Sequence, residues 1–295
     1  MSRFCSFRLS ILLAIACCIP AAHAAISFTA IDVPGAAATV VYSINAFGDM
    51  VGAYQITNGG FWHAFKRSSG SFTYFDYPGA QDTLALGVND SGQIVGLYDM
   101  GQGLLTYGFL YDGTTFTSIR YGTMIITEAW AINNSGLIGG ETGNSTKQRG
   151  FELSGGNFTQ IQPPGQGTYA YAFVNAINNF GVAVGFVVHY TSTVEGFIYQ
   201  TGKYKFVDYP GATSTGIYGI NDNSIMVGYY AFNNAAWYGF ATTKGKFVSL
   251  TYPGATYTIC HGLNNGGFIV GEAVVGSTTH GFVTTPIKAT DFEQR

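Results

Sequence analysis

Charge is scarce in this chain. Only 10% of its 295 residues are Asp, Glu, Lys or Arg, less than half the roughly 25% of ordinary soluble domains. That excludes a disordered polyelectrolyte, and a formal net charge of −3 offers no electrostatic case for a nucleic-acid partner. Cysteine is scarce too: of four, Cys5, Cys17 and Cys18 fall in the first 24 residues. Those residues read as a signal peptide, with Arg3 and Arg8 before an apolar run from Leu9 to Ile19 and an A-x-A site at Ala22-His23-Ala24. The expected destination is extracellular or periplasmic. Ala14-Ile15-Ala16-Cys17 faintly resembles a lipoprotein box, but Ala14 stands where Leu is usual, so anchoring at Cys17 is not expected. Cleavage would leave Cys260 alone, and one thiol makes no internal disulfide. No other stretch approaches the ~20 apolar residues of a membrane span. The mature domain must hold itself together by packing.

What the chain has in excess is glycine, at 41 residues, with 20 tyrosines and 23 phenylalanines. The glycines show no every-third-residue period, which excludes collagen. The aromatics favour strands. An internal repeat dominates. Asn recurs as Asn45, Asn89, Asn133, Asn178, Asn221 and Asn264, at intervals of 44, 44, 45, 43 and 43. Seven residues after each stands a glycine: Gly52, Gly96, Gly140, Gly185, Gly228 and Gly271. A phenylalanine recurs as Phe65, Phe109, Phe151, Phe197, Phe240 and Phe282, and an aromatic follows the first five by seven. Turn sequences such as Asn89-Asp90-Ser91-Gly92 fill the two constant spacings. Constant spacing through a tight turn is a β-hairpin requirement, because one extra residue would flip every following side chain to the other face. The other two connections vary in length.

Each repeat is therefore four strands with two rigid turns and two tolerant loops. Four strands in about 44 residues fits a β-propeller blade. The expected fold is all-β, a six-bladed propeller over 25–288 with a C-terminal tail at 289–295. The first copy lacks the strand that precedes it elsewhere, and the last ends with that strand at His280-Gly281-Phe282-Val283. Pairing of the N- and C-terminal strands would close the ring. The residue two before each Asn is small (Ser43, Gly87, Ala131, Ala176, Gly219, Gly262), which marks the crowded innermost strand. Both tight turns then lie on one face of the disc, and both variable loops on the other. Lysines and arginines at Lys66-Arg67, Lys203, Lys205, Lys244 and Lys246 share the tight-turn face, where a solvated edge is the plain reading.

The units YPGA…GVNDSGQIVGLYD, together with His63-Ala64-Phe65, resemble the HAF-type extracellular repeat of bacterial secreted proteins. The likeness covers about residues 26–285. It implies export and a repeat-built β fold, and it brings no catalytic residues with it. The third copy departs most, with Arg120-Tyr121-Gly122-Thr123 where others have Asp-Tyr-Pro-Gly; an irregular outer strand is expected there.

Chemistry is harder to find. The repeated Asn reads as an Asx turn opening each hairpin. His63 and His280 share one repeat position and read as edge hydrogen bonds. No calcium-loop pattern and no metal-ligand spacing occurs among the histidines, so no metal and no cofactor is expected. Non-periodic acids are Asp82, Glu128, Glu141, Glu195 and Glu272. Glu128, at the entrance of an inner strand, is the best single candidate acid, but no partner is evident, so no catalytic residue is assigned. Aromatics suggest instead a surface. The residue three before Asn reads Tyr42, Leu86, Trp130, Asn175, Tyr218 and His261; the residue three before the repeated Phe reads Trp62, Thr106, Gln148, Val194, Trp237 and Thr279. All three tryptophans fall at these two positions. Tyr42, Trp62, Trp130, Tyr218, Trp237 and His261 are the expected ligand-binding residues, by stacking. The expectation is a secreted, non-enzymatic binding or scaffold propeller whose variable-loop face meets an extracellular polysaccharide or a cell-surface protein. A carbohydrate-active hydrolase or lyase is the alternative, and a purely structural envelope protein a third reading.

Overall fold

A computed structural model describes residues 26–292 except 102, 104, 166–168 and 234–235. The expected signal peptide and Cys17 lie outside the described residues. No α-helix occurs among them, and no helix is long and apolar enough to cross a membrane.

The chain opens with a short strand, β1 (Phe28–Ala30). A first antiparallel run follows: β2 (Ala38–Ile44), β3 (Met50–Gln55), β4 (Trp62–Ser68) and β5 (Ser71–Phe75). The second is β6 (Asp82–Val88), β7 (Ile94–Asp99), β8 (Thr106–Tyr111) and β9 (Phe116–Ile119). The third is β10 (Ile126–Ile132), β11 (Ile138–Asn144), β12 (Lys147–Ser154) and β13 (Asn157–Ile161). Then come β14 (Tyr169–Ile177), β15 (Ala183–His189), β16 (Val194–Gln200) and β17 (Lys203–Val207). The fifth run is β18 (Ser214–Ile220), β19 (Met226–Ala231), β20 (Trp237–Thr243) and β21 (Lys246–Leu250). The last is β22 (Tyr257–Leu263), β23 (Ile269–Val275) and β24 (Thr278–Thr284).

These strands make three eight-stranded sheets rather than separate four-stranded ones. The reason is local. Neighbouring runs touch through one parallel bridge, Ala38 with Thr279, Ile126 with Thr106, and Val194 with Ser214. The last run takes its fourth strand from the other end of the chain: β1 pairs antiparallel with β24, Phe28 opposite Thr284 and Ala30 opposite Phe282. Phe28 packs edge-on against Phe282, at 5.1 Å between ring centroids.

Core residues follow the repeat. The six phenylalanines Phe65, Phe109, Phe151, Phe197, Phe240 and Phe282 are all fully buried. Each lies beneath a repeated glycine, and the glycine is obligatory. A Cβ on Gly140 would stand 1.9 Å from the Glu128 carbonyl oxygen and 2.9 Å from the Phe151 ring. The small residues two before Asn are equally crowded: a Cβ on Gly262 would meet the Tyr42 carbonyl at 2.7 Å.

The repeated Asn opens each turn as an Asx turn; Asn45 Oδ1 accepts from the amides of Phe47 and Asp49. It also ties neighbouring runs together. Its Nδ2 donates to the carbonyl of the next Asn in the series, from Asn45 to Asn89 at 3.2 Å through to Asn221 and Asn264 at 3.1 Å. Asn264 donates in turn to the Asn45 carbonyl at 3.0 Å. Five threonines brace the other end: the hydroxyls of Thr39, Thr83, Thr127, Thr215 and Thr258 accept from backbone amides six residues earlier.

After the last strand, Ala289–Phe292 form a 3-10 turn, and Phe292, 2% exposed, packs with Val248, Leu250 and Ile287. The departing third copy does shorten an outer strand, β9 having four residues against five in β5. Arg120 nevertheless is firmly held, 3.8 Å above the Tyr107 ring and donating to the Tyr98 hydroxyl.

Candidate functional site

Each innermost strand carries a β-bulge at one place. The register of β2 with β3 skips between Val41 and Ser43, and the same skip recurs in β6, β10, β14, β18 and β22. The bulged residues are Tyr42, Leu86, Trp130, Asn175, Tyr218 and His261. A bulge breaks the alternation of side chains and re-aims one of them. Here all six line a single axial cavity of about 120 Å³, which is small beside the roughly 300–1,000 Å³ of ordinary ligand pockets. The cavity runs from this layer to the tight-turn face, where Asn134, Asn179 and Asn265 are exposed.

On the loop side of the layer the same hairpins place six cross-strand pairs: Val40 with Ala53, Leu84 with Leu97, Glu128 with Glu141, Phe173 with Phe186, Gly216 with Tyr229, and Ile259 with Glu272. These pairs vary while the glycine before each second member does not.

A continuous chain of rings results. Trp237 stacks on Tyr229 at 4.6 Å, Tyr229 meets Tyr218 at 5.9 Å, and Tyr218 meets His261 at 5.1 Å. His261 meets Tyr42 at 4.9 Å, and Tyr42 reaches Trp130 at 6.5 Å, skipping the intervening repeat. Tyr257 lies against Trp237 at 5.3 Å. Five of the six expected residues therefore meet in one cluster. Trp62 does not; among the described residues no ring contact joins it to the chain, and its amide donates to Asp82 Oδ1 at 2.7 Å. None of the three indoles is fully buried, and Trp237 is 37% exposed.

Carboxyl groups fill the gaps between the rings. Thr106 Oγ1 donates to Glu128 Oε1 at 2.8 Å, Trp130 Nε1 to Glu141 Oε1 at 3.3 Å, and the Tyr257 hydroxyl to Glu272 Oε1 at 3.0 Å. His261 Nε2 stands 3.4 Å from Glu272 Oε1, without the alignment of a hydrogen bond. Glu141 Oε2 and both His261 ring nitrogens are buried with no hydrogen-bond partner among the described residues. Burial pushes the Glu128 carboxyl up and the Glu141 carboxyl well up, the latter further raised by the facing Glu128. Burial likewise raises Tyr42, with smaller contributions from Glu272 and Glu128. Tyr229 is pushed up to about 12 by burial. Glu128, Glu141, Tyr42 and Tyr229 are all held toward their neutral forms.

Glu141, directly opposite on the neighbouring strand, is the partner that spacing alone did not supply for Glu128. The signal was present. Glu128 and Glu141 stand five before and eight after Asn133, and a hairpin with that turn at its end makes them opposite. The remaining acids are structural: Asp82 holds a backbone amide and Glu195 pairs with His189 at 3.1 Å. His63 and His280 clasp Asp76 and Asp32 at 2.8 and 2.9 Å, joining third and outer strands. Among the described residues no group of three His, Cys, Asp or Glu is arranged to hold a metal.

The fold is a β-propeller. Solved structures similar to this chain include TolB from Acinetobacter baumannii, with a TM-score of 0.51 at 10% identity, covering 83% of this chain and 54% of that one. This chain thus spans about half of TolB. A Hadza microbial sialidase gives a TM-score of 0.57 at 8% identity, over 86% of this chain and 66% of that one. The SapL1 lectin in complex with alpha methyl fucoside gives 0.50 at 13% identity, over 82% and 96%. No protein-family model and no curated protein sequence matches the chain. At such identities the likeness shows the fold alone.

Proposed function

We propose that this chain is an exported, six-bladed propeller of the HAF-repeat kind that binds a carbohydrate without transforming it. Six blades and ring closure are supported by the pairing of β1 with β24 and by the Asn264–Asn45 hydrogen bond. The binding reading rests on one observation: six bulges aim side chains of five kinds at the axis, whereas the Asn, Gly and Phe that build the scaffold are the same in all six repeats. Sugar rings present apolar faces that stack on aromatic side chains and hydroxyls that hydrogen-bond to carboxyl groups. The chain from Trp237 to Trp130 offers both, beside buried acceptors left unused. The loop face around it also exposes Ile56, Phe61, Met100, Tyr190 and Phe232, as a contact surface does. The lectin and sialidase neighbours are consistent with sugar recognition, at the level of fold.

Glycan-array screening of the purified mature domain tests this, with Trp130→Ala and Trp237→Ala beside the wild type. The expected result is a retained glycan whose binding both substitutions weaken at least tenfold, with melting nearly unchanged for the more exposed Trp237. A hydrolase reading has one observation in its favour, the two acids Glu128 and Glu141 in a shielded site. Turnover assays on the retained glycans address it directly.

A further inference from the structure

The carbohydrate reading leaves open which chemistry the buried acids recognise. Glu128 and Glu141 come from the third repeat and Glu272 from the sixth, three apart in a series of six. Tyr42, in the first repeat, has both Glu128 and Glu272 among its electrostatic neighbours. Among the described residues no Lys or Arg forms an ion pair with any of the three. His261 is the basic side chain of the cluster, and it stands beside Glu272, its Nε2 3.4 Å from Oε1.

We propose that the loop-side axial site takes a ligand carrying a protonated amine, of the amino-sugar class. This rests on the carbohydrate reading and narrows it. Glu141 is 3% exposed and its Oε2 accepts no hydrogen bond. A buried carboxyl oxygen without a donor is costly unless something supplies one. An ammonium group supplies three donors and the missing positive charge at once. Aromatic faces at Tyr42 and Trp130 add attraction for a cation that a neutral hydroxyl does not receive. The free site keeps protons: burial raises both groups, and the facing Glu128 raises Glu141 further. A neutral sugar leaves that protonated pair as it is. An arriving ammonium therefore displaces a proton, and a neutral ligand does not.

Isothermal calorimetry gives the test. Glucosamine oligosaccharides with free amines are titrated into the purified mature domain below neutral pH, beside their N-acetylated counterparts, in two buffers of different ionisation enthalpy. The expected result is at least tenfold tighter binding of the free amine, with proton release seen as a buffer-dependent heat. Glu141→Gln should remove both the preference and the proton release, while its melting shows that it folds. Equal or tighter binding of the acetylated sugar, or amine binding without proton release, overturns this inference and leaves the carbohydrate reading standing. Binding of neither sugar also overturns this inference, while the carbohydrate reading itself falls only if the glycan array retains nothing.

Discussion

At the residue scale, the repeated positions divide into those that satisfy the backbone and those that do not. Asn45 and its equivalents are spent on the scaffold: Asn45 accepts two amides and donates across to the next repeat. Thr83 is similar: its hydroxyl receives the Tyr77 amide at 3.0 Å. Thr83→Val keeps the shape and orphans that amide, at an expected cost of about 1–3 kcal/mol, read by denaturant unfolding. Glu141 is the opposite kind. Its carboxyl binds its proton more tightly folded than unfolded, where the ordinary value is 4.5. Glu128 behaves alike. Their contribution to stability is therefore intact below about 4.5 and is lost as pH rises toward the folded values. Glu141→Gln should flatten that decline and raise stability at neutral pH relative to wild type. A variant with the wild-type pH profile would show that the Glu141 carboxyl carries no such load.

At the scale of the element, the inner strands explain what could be read from sequence and what could not. Strand number, hairpin register and the crowding at Gly87 or Gly262 were legible because the whole repeat depends on them. The bulge was not, since no residue type marks it: Tyr, Leu, Trp, Asn and His all occupy it. Nor was the Glu128–Glu141 pair, which is visible only when register is carried from the turn back along both strands. The tight turns show a second series of bonds. The Asp90 amide donates to Asn134 Oδ1 at 2.9 Å, and the pattern repeats through Asn179, Asp222 and Asn265. At the next position Ala46 has no side-chain oxygen to receive the Asn265 amide. Ala46→Asn should complete the series and stabilise by about 0.5–1.5 kcal/mol, seen as a melting point raised by about 2–4 °C per kcal/mol. An unchanged or lower melting point would mean that the turns are held without this bond.

At the scale of the molecule, the two ends of the chain converge on the last run. Ser27 and Thr285 exchange hydrogen bonds, β1 pairs β24, and Phe292 lies in the adjoining core. Phe292→Ala should cost about 3–5 kcal/mol, as for a buried aromatic, whereas a free tail would tolerate it. Removing residues 280–295 exposes two strand edges and should bring aggregation or much earlier melting. The central claim is that the bulged layer is a binding site rather than core packing. It is tested most directly by fluorescence of a variant in which Trp62→Phe and Trp237→Phe leave Trp130 as the one indole of the chain. Titrated with the glycan that the wild type retains, Trp130 should shift or quench with the same Kd that calorimetry gives for that variant. A glycan that binds by calorimetry while Trp130 emission stays constant would place the site elsewhere and contradict the account.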